Sequence, residues 1–189
     1  MAPDAPRSPA VLLLLRHHLI AILVALTPIV VLGARADAFQ DAASAVQRKD
    51  YASALRLLEP LAAGGDARAQ TQLATLYYHG HGVAEDNARA LQWYELAARQ
   101  GHANAQYLLA NMYAYGHAAA PEGHEPMRLA AQWYFEAARQ GHVDAQYSLG
   151  LLFLAGSGVT QNAAEARKWF ARAARQGHAD AKAYLRAAR

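Results

Sequence analysis

The hexapeptide AARQGH occurs three times, at Ala97–His102, Ala137–His142 and Ala173–His178. Each copy ends in a histidine. It therefore reads either as part of a dispersed metal or acid–base site or as a structural stop signal, and its surroundings decide between the two. Ala67–His102, Ala103–His142 and Val143–His178 align as three copies of one longer unit. Trp93, Trp133 and Trp169 fall 40 and 36 residues apart, while Ala69, Ala105, Ala145 and Ala181 fall 36, 40 and 36 apart. Self-similarity at such a period marks stacked supersecondary units.

Each unit carries two helical patterns. Ala69, Leu73, Leu76 and Tyr77 share one face, and Ala90, Trp93, Tyr94 and Ala97 share another. Between them stands GHGV, in which Gly80 suits a left-handed helix end and Gly82 lets the chain turn back. A unit is thus a helix hairpin. One hairpin cannot bury its Trp, Tyr and Leu alone, but stacked neighbours can, with alanines allowing close approach. The aromatic pair of each second helix, such as Trp93-Tyr94, is expected to fill the space between units, with Trp133 at a buried packing site. A degenerate hairpin precedes the repeats at 39–66, where Leu57 and Leu58 replace the Trp-Tyr pair and Gly65 matches Gly101. A fragment at 179–189 begins a further unit and is expected to cap the stack.

The composition agrees with a packed helical domain. Hydrophobic residues make up 54% of the 189 and charged residues only 17%, which excludes wholesale disorder. The net charge of +3 is spread without a cluster, so no nucleic-acid surface is expected. There is no cysteine, which removes disulfides, thiolate metal sites and cysteine nucleophiles. Residues 1–38 read as a secretory signal peptide. Arg7, Arg16, His17 and His18 precede the 14-residue apolar run Leu19–Leu32, followed by small-x-small sites for cleavage after Ala36 or Ala38. As a helix that run would span ~21 Å, short of the ~30 Å hydrocarbon core. The rival reading is an uncleaved anchor starting near Val11, the one membrane contact foreseen. Both place the remainder outside the cytoplasm, in the periplasm if the source is Gram-negative.

The motifs A-x-A-Q-x-x-L, Y/F-x-x-G-x-G-V, A-x-x-W-Y/F and A-A-R-Q-G-H together resemble Sel1-like repeats, a branch of the tetratricopeptide-type helical hairpins. The signature falls on Ala69, Leu73, Tyr77, Gly80, Gly82, Trp93 and Gly101 in unit one. In unit two it falls on Leu109, Tyr113, Trp133 and Gly141, and in unit three on Leu149, Phe153, Gly156, Gly158, Trp169 and Gly177. Unit two departs from it, with His117-Ala118-Ala119 in place of a second glycine and valine and four extra residues within Ala118–Met127. The resemblance implies an all-α, right-handed α-solenoid of about four hairpins plus a C-terminal capping helix.

The chemical candidates are weaker than this architecture. In each AARQGH, glycine suits the residue after a helix, arginine complements the dipole in the last turn, and histidine follows as a solvent-facing loop residue. Neighbouring helices pack ~8–10 Å apart, too far for three such histidines to converge on one ion. The pair His79 and His81 sits on a turn, but two histidines alone are a weak metal signal. Ser157, between two glycines, lacks the nucleophile-elbow pattern. No phosphate loop or dinucleotide fingerprint is present. Neither a catalytic residue, a metal nor a cofactor is expected.

The resemblance places the first helix of each unit on a concave face, and function at the positions the motif leaves free. These are Gln72, Thr75 and Tyr78, then Leu108, Asn111 and Tyr115, then Ser148, Leu151 and Leu154. Leu108 and Leu151 are equally readable as core. Such a strip suits an envelope protein or peptide segment. Sel1-like proteins generally act as adaptors or regulators, and exported bacterial members are associated with sensing, envelope maintenance and host contact. Two alternatives remain. One is binding of peptidoglycan or another glycan. The other is a β-lactamase-like hydrolase, as assigned to some cysteine-rich relatives, although this chain has neither the cysteines nor S-x-x-K.

Overall fold

The computed structural model describes residues 37–188, so the signal-peptide reading lies almost wholly outside the described residues. Those residues form nine helices and no strand. Helix α1 spans 37–47. It is followed by α2 (Tyr51–Ala63), α3 (Ala67–His79), α4 (Asn87–Arg99) and α5 (Ala103–Ala114). Then come α6 (Pro126–Arg139), α7 (Val143–Ala155), α8 (Ala163–Arg175) and α9 (Ala179–Ala187). Each helix packs chiefly on its neighbours in sequence, so hairpins α1/α2, α3/α4, α5/α6 and α7/α8 follow one another and α9 packs on α8.

The helix ends explain why the hexapeptide recurs. In each copy the glycine N–H bonds the carbonyl of the second alanine and the histidine N–H bonds that of the first, at 3.0–3.2 Å. This double closure is a Schellman motif. It needs a left-handed residue, and Gly101, Gly141 and Gly177 supply it with φ of 85°, 94° and 104°. Gly65 and Asp66 close α2 in the same way. At the other hairpin turn, Gly80 and Gly156 end α3 and α7 in the left-handed region. The following glycines sit where nothing larger fits. A Cβ at Gly158 would lie 2.2 Å from the Met127 carbonyl oxygen, and one at Gly82 would lie 2.5 Å from Cβ of Tyr51.

The core corrects the expectation for the tryptophans. Trp93 and Trp133 are only half-buried, although Trp169 is buried. The next residue holds the centre of each hairpin: Tyr94, Tyr134 and Phe170 are at most 3% exposed, and Leu58 matches them in the leading hairpin. The phenol of Tyr94 donates to Thr75 Oγ1, since that hydroxyl already donates to the Thr71 carbonyl. Tyr134 donates to Asn111 Oδ1. Burial pushes the Tyr94 phenol up to about 12, so it remains a neutral donor. In unit three Phe170 has no hydroxyl, Leu151 stands where Thr75 and Asn111 stand, and the ring moves in against Gly150. Ala69, Leu73, Tyr77, Leu109, Tyr113 and Leu149 are buried as the signature requires, and Phe153 is half-buried.

Candidate functional site

Two polar systems join the units, and both start in the hexapeptide. Gln70, Gln106 and Gln146 are buried to 4% exposure. Each donates to a carbonyl at the end of the preceding hairpin: Ala62, Ala98 and Ala138, at 3.0, 3.1 and 3.1 Å. Each accepts, at 2.7–2.8 Å, from the glutamine ending its own hairpin: Gln100, Gln140 and Gln176. A buried polar side chain is tolerable only when its groups are partnered, and these are. The ladder stops at α9, where Lys182 takes the glutamine position and Arg186 takes that of Ala74, Ala110 and Gly150.

The histidines form the second system, and they are not solvent-facing as expected. His102, His142 and His178 occupy the N-cap positions of α5, α7 and α9 and are half-buried. His142 and His178 accept the N–H of Ala145 and Ala181 at Nδ1, so each carries its proton on Nε2 when neutral. Their rings stack on Tyr107 and Tyr147 of the preceding first helix, with centroids 4.5 and 4.3 Å apart. Thr71 stands at the same register. Its hydroxyl donates to the Ala67 carbonyl, so His102 Nδ1 donates to it at 2.9 Å. Burial holds both His102 and His142 below the usual imidazole value. The three rings therefore fasten one first helix to the next and converge on no common centre. Among the described residues, no group of three or more His, Cys, Asp or Glu side chains is arranged to hold a metal ion.

The strip foreseen on the first helices divides into engaged and free positions. Thr75 and Asn111 are bound to the central phenols. Tyr78, half-buried, packs edge-on to His79 and His117. Leu108 packs against the main core and Leu154 against a small cluster around Phe170. Ser148 is half-buried, Leu151 is 41% exposed, and Tyr115, the C-cap of α5, is 72% exposed. Gln72 is half-buried and makes no side-chain hydrogen bond among the described residues.

Gln72 and Thr75 lie in a groove of about 540 Å³ between α1, α3 and the start of α5. Phe39 and Val46 of α1 form one wall, while Arg68, Thr71, Gln72 and Thr75 of α3 form the other. His102 and Asn104 close one end and His79 and His81 the other. The Arg68 guanidinium lies 4.4 Å over the Phe39 ring and is pinned to Asp66 through Nε and Nη2. A larger cavity of about 720 Å³ lies between α6 and the α7–α8 turn. Five of its lining residues, Leu149, Phe153, Gly156, Gly158 and Val159, belong to the repeated motifs. Packing already accounts for that lining. The groove, in contrast, brings together Arg68, Gln72, Thr75 and His79, which the motif leaves free. Sequence reasoning found Gln72 and Thr75 but missed α1, Arg68 and the histidine walls. The ladder glutamines at 70, 106 and 146 are the Q of A-x-A-Q-x-x-L, but the motif alone does not show that they join hairpins.

The Sel1 repeat model matches residues 39–66, 67–102, 103–142 and 143–178. This chain belongs to the Sel1 repeat family. Among solved structures it is similar to a Sel1 repeat protein from Oxalobacter formigenes at 34% identity and TM-score 0.69, covering 76% of this chain and 57% of that one. It is also similar to a protective antigen of uropathogenic Escherichia coli strains, which displays the same kind of repeat fold, at 37% identity and TM-score 0.60. That match covers 66% of this chain and 26% of the antigen. The chain thus spans little more than half of one relative and about a quarter of the other. Helicobacter pylori cysteine rich protein B shares the fold at 24% identity and TM-score 0.51, over 77% of this chain and 96% of that one. No curated protein sequence matches the chain. Proteins built from Sel1 repeats are generally non-catalytic scaffolds for protein interaction.

Proposed function

We propose that this Sel1 repeat chain is a non-enzymatic scaffold, exported to the bacterial envelope, that holds a segment of a partner protein along its first helices. The observation that carries the reading is the groove between α1 and α3, where Gln72 offers an unengaged carboxamide beside apolar and cationic side chains. Preformed grooves with a few convergent polar groups over an apolar floor are the usual seats of extended segments. Tyr115, the most exposed of the large apolar side chains, extends the same face beyond α3. Export rests on the basic, apolar and small-residue order of residues 1–38.

The test is photo-crosslinking in the source cells with a photoreactive residue in place of Tyr115, followed by mass spectrometry of what is trapped. An envelope protein supports the reading. A glycan strand would replace it with the peptidoglycan-binding alternative, and an empty result on exported, folded protein would sink it.

A further inference from the structure

The groove between α1 and α3 has a one-sided charge. Arg68 supplies it, with the imidazoles of His79 and His81 at one end, and among the described residues no Asp or Glu lines the groove. The position of Arg68 recurs along the first helices as Asn104, Asp144 and Asp180, so a cation at this register occurs only in the first unit. That of His79 recurs as Tyr115 and Ala155. Arg68 is also held ready. Two of its N–H groups fix it to Asp66 and its plane rests on Phe39, while Nη1 makes no hydrogen bond among the described residues. Asp66 is mostly buried and faces the start of α3, where it accepts the N–H groups of Arg68 and Ala69. A guanidinium fixed in this way has lost much of its side-chain entropy before any ligand arrives.

Resting on the scaffold reading, we propose that this groove receives an extended acidic segment of the partner, with carboxylates directed at Arg68 and at the His79–His81 end. The dimensions agree. Helix α3 has 13 residues and so runs ~20 Å, the reach of about six residues of extended chain. Between the ends, Gln72 supplies an amide that can both donate to and accept from the segment's backbone. Phe39 and Val46 face its apolar side.

The experiment uses the purified full chain and three fluorescein-labelled hexapeptides, of glutamate, glutamine and lysine, followed by fluorescence anisotropy. Hexaglutamate is expected to bind saturably and at least about tenfold more tightly than hexaglutamine, as charge-assisted hydrogen bonds to a fixed arginine imply. Arg68→Gln should weaken it at least about fivefold. Arg175→Gln, which removes an exposed arginine at the far end of α8, should leave it unchanged. Gln72→Glu breaks no hydrogen bond of the fold and should weaken hexaglutamate but not hexaglutamine, which keeps the test decisive if Arg68→Gln unfolds. Equal losses from the two arginine variants would mean diffuse attraction and would overturn the proposal, as would equal affinity for all three peptides or no binding. A protein trapped from Tyr115 without hexaglutamate binding would leave the scaffold standing and remove its acidic specificity.

Discussion

Gln106 shows how one side chain can hold two hairpins together. It donates back to the Ala98 carbonyl and accepts forward from Gln140, inside a core where it is 4% exposed. Replacement by leucine keeps roughly the volume but removes both bonds, although the Ala98 carbonyl keeps its partner in the Gly101 N–H. An intramolecular hydrogen bond contributes about 0.5–1.5 kcal/mol net, so loss of the two should leave Gln106→Leu destabilised by about 1–3 kcal/mol in urea denaturation. An unchanged midpoint would mean that the ladder does not hold the stack. His142 adds a dependence on pH. Burial favours its neutral form, so its folded value lies below the ordinary 6.5. The unfolded chain then takes up the proton first. The stabilising contribution of His142 is complete above about pH 6.5 and is lost as the pH falls through the lower folded value. Protonation also removes the lone pair that caps Ala145. His142→Asn supplies a neutral cap, so its urea midpoint should fall less than that of the wild type between pH 7.5 and 5. His102, shifted in the same direction, accounts for part of the remaining slope. Parallel curves would show that His142 does not titrate with folding.

Helix ends and the turns between them fix the geometry of each hairpin, and their glycines are not equivalent. Gly158 and Gly116 both have positive φ, of 70° and 74°, but only Gly158 abuts a neighbouring backbone. Alanine at Gly116 meets nothing within 4 Å and carries only the left-handed strain, about 1–2 kcal/mol. Alanine at Gly158 must in addition push aside the start of α6, so in thermal unfolding Gly158→Ala should melt several degrees below Gly116→Ala. Equal melting temperatures would contradict the packing of that turn on Met127. Much at this level was readable beforehand. Glycine and the alanine–leucine periodicity announce helix stops and buried faces through local rules. The centre of the buried face was less readable: Trp93 and Tyr94 are adjacent on one helix, and periodicity does not say which of them points to the middle. In the first two full units hydroxyl partners mark the central residue, since Tyr94 and Tyr134 reach Thr75 and Asn111 across the hairpin, while Phe170 takes the same place without one. The second-unit loop also escaped the motif. Ala118 takes the place of the second glycine and is buried without positive φ, which the four added residues permit.

The stack as a whole places its repeated residues inside and between hairpins and leaves its varied residues on the first helices. The candidate site was half legible for that reason. Gln72 and Thr75 were found by subtracting the motif, but the facing wall at Phe39 and Val46 belongs to a degenerate unit where subtraction has no template. His102 and Asn104 reach the groove from the next hairpin, a juxtaposition created by stacking. Thr75 and Asn111 also bond the central phenols, because a position free of the motif can still meet a neighbour's hydroxyl. A scan of photoreactive substitutions over both faces tests where a partner sits. Gln72, Tyr115 and Leu151 sample the first helices; Gln92, Gln132 and Arg172 sample exposed positions of the second. Crosslinks to one protein from the first three and none from the last three are the expected result. Crosslinks centred on Gln132, beside the larger cavity, would contradict it.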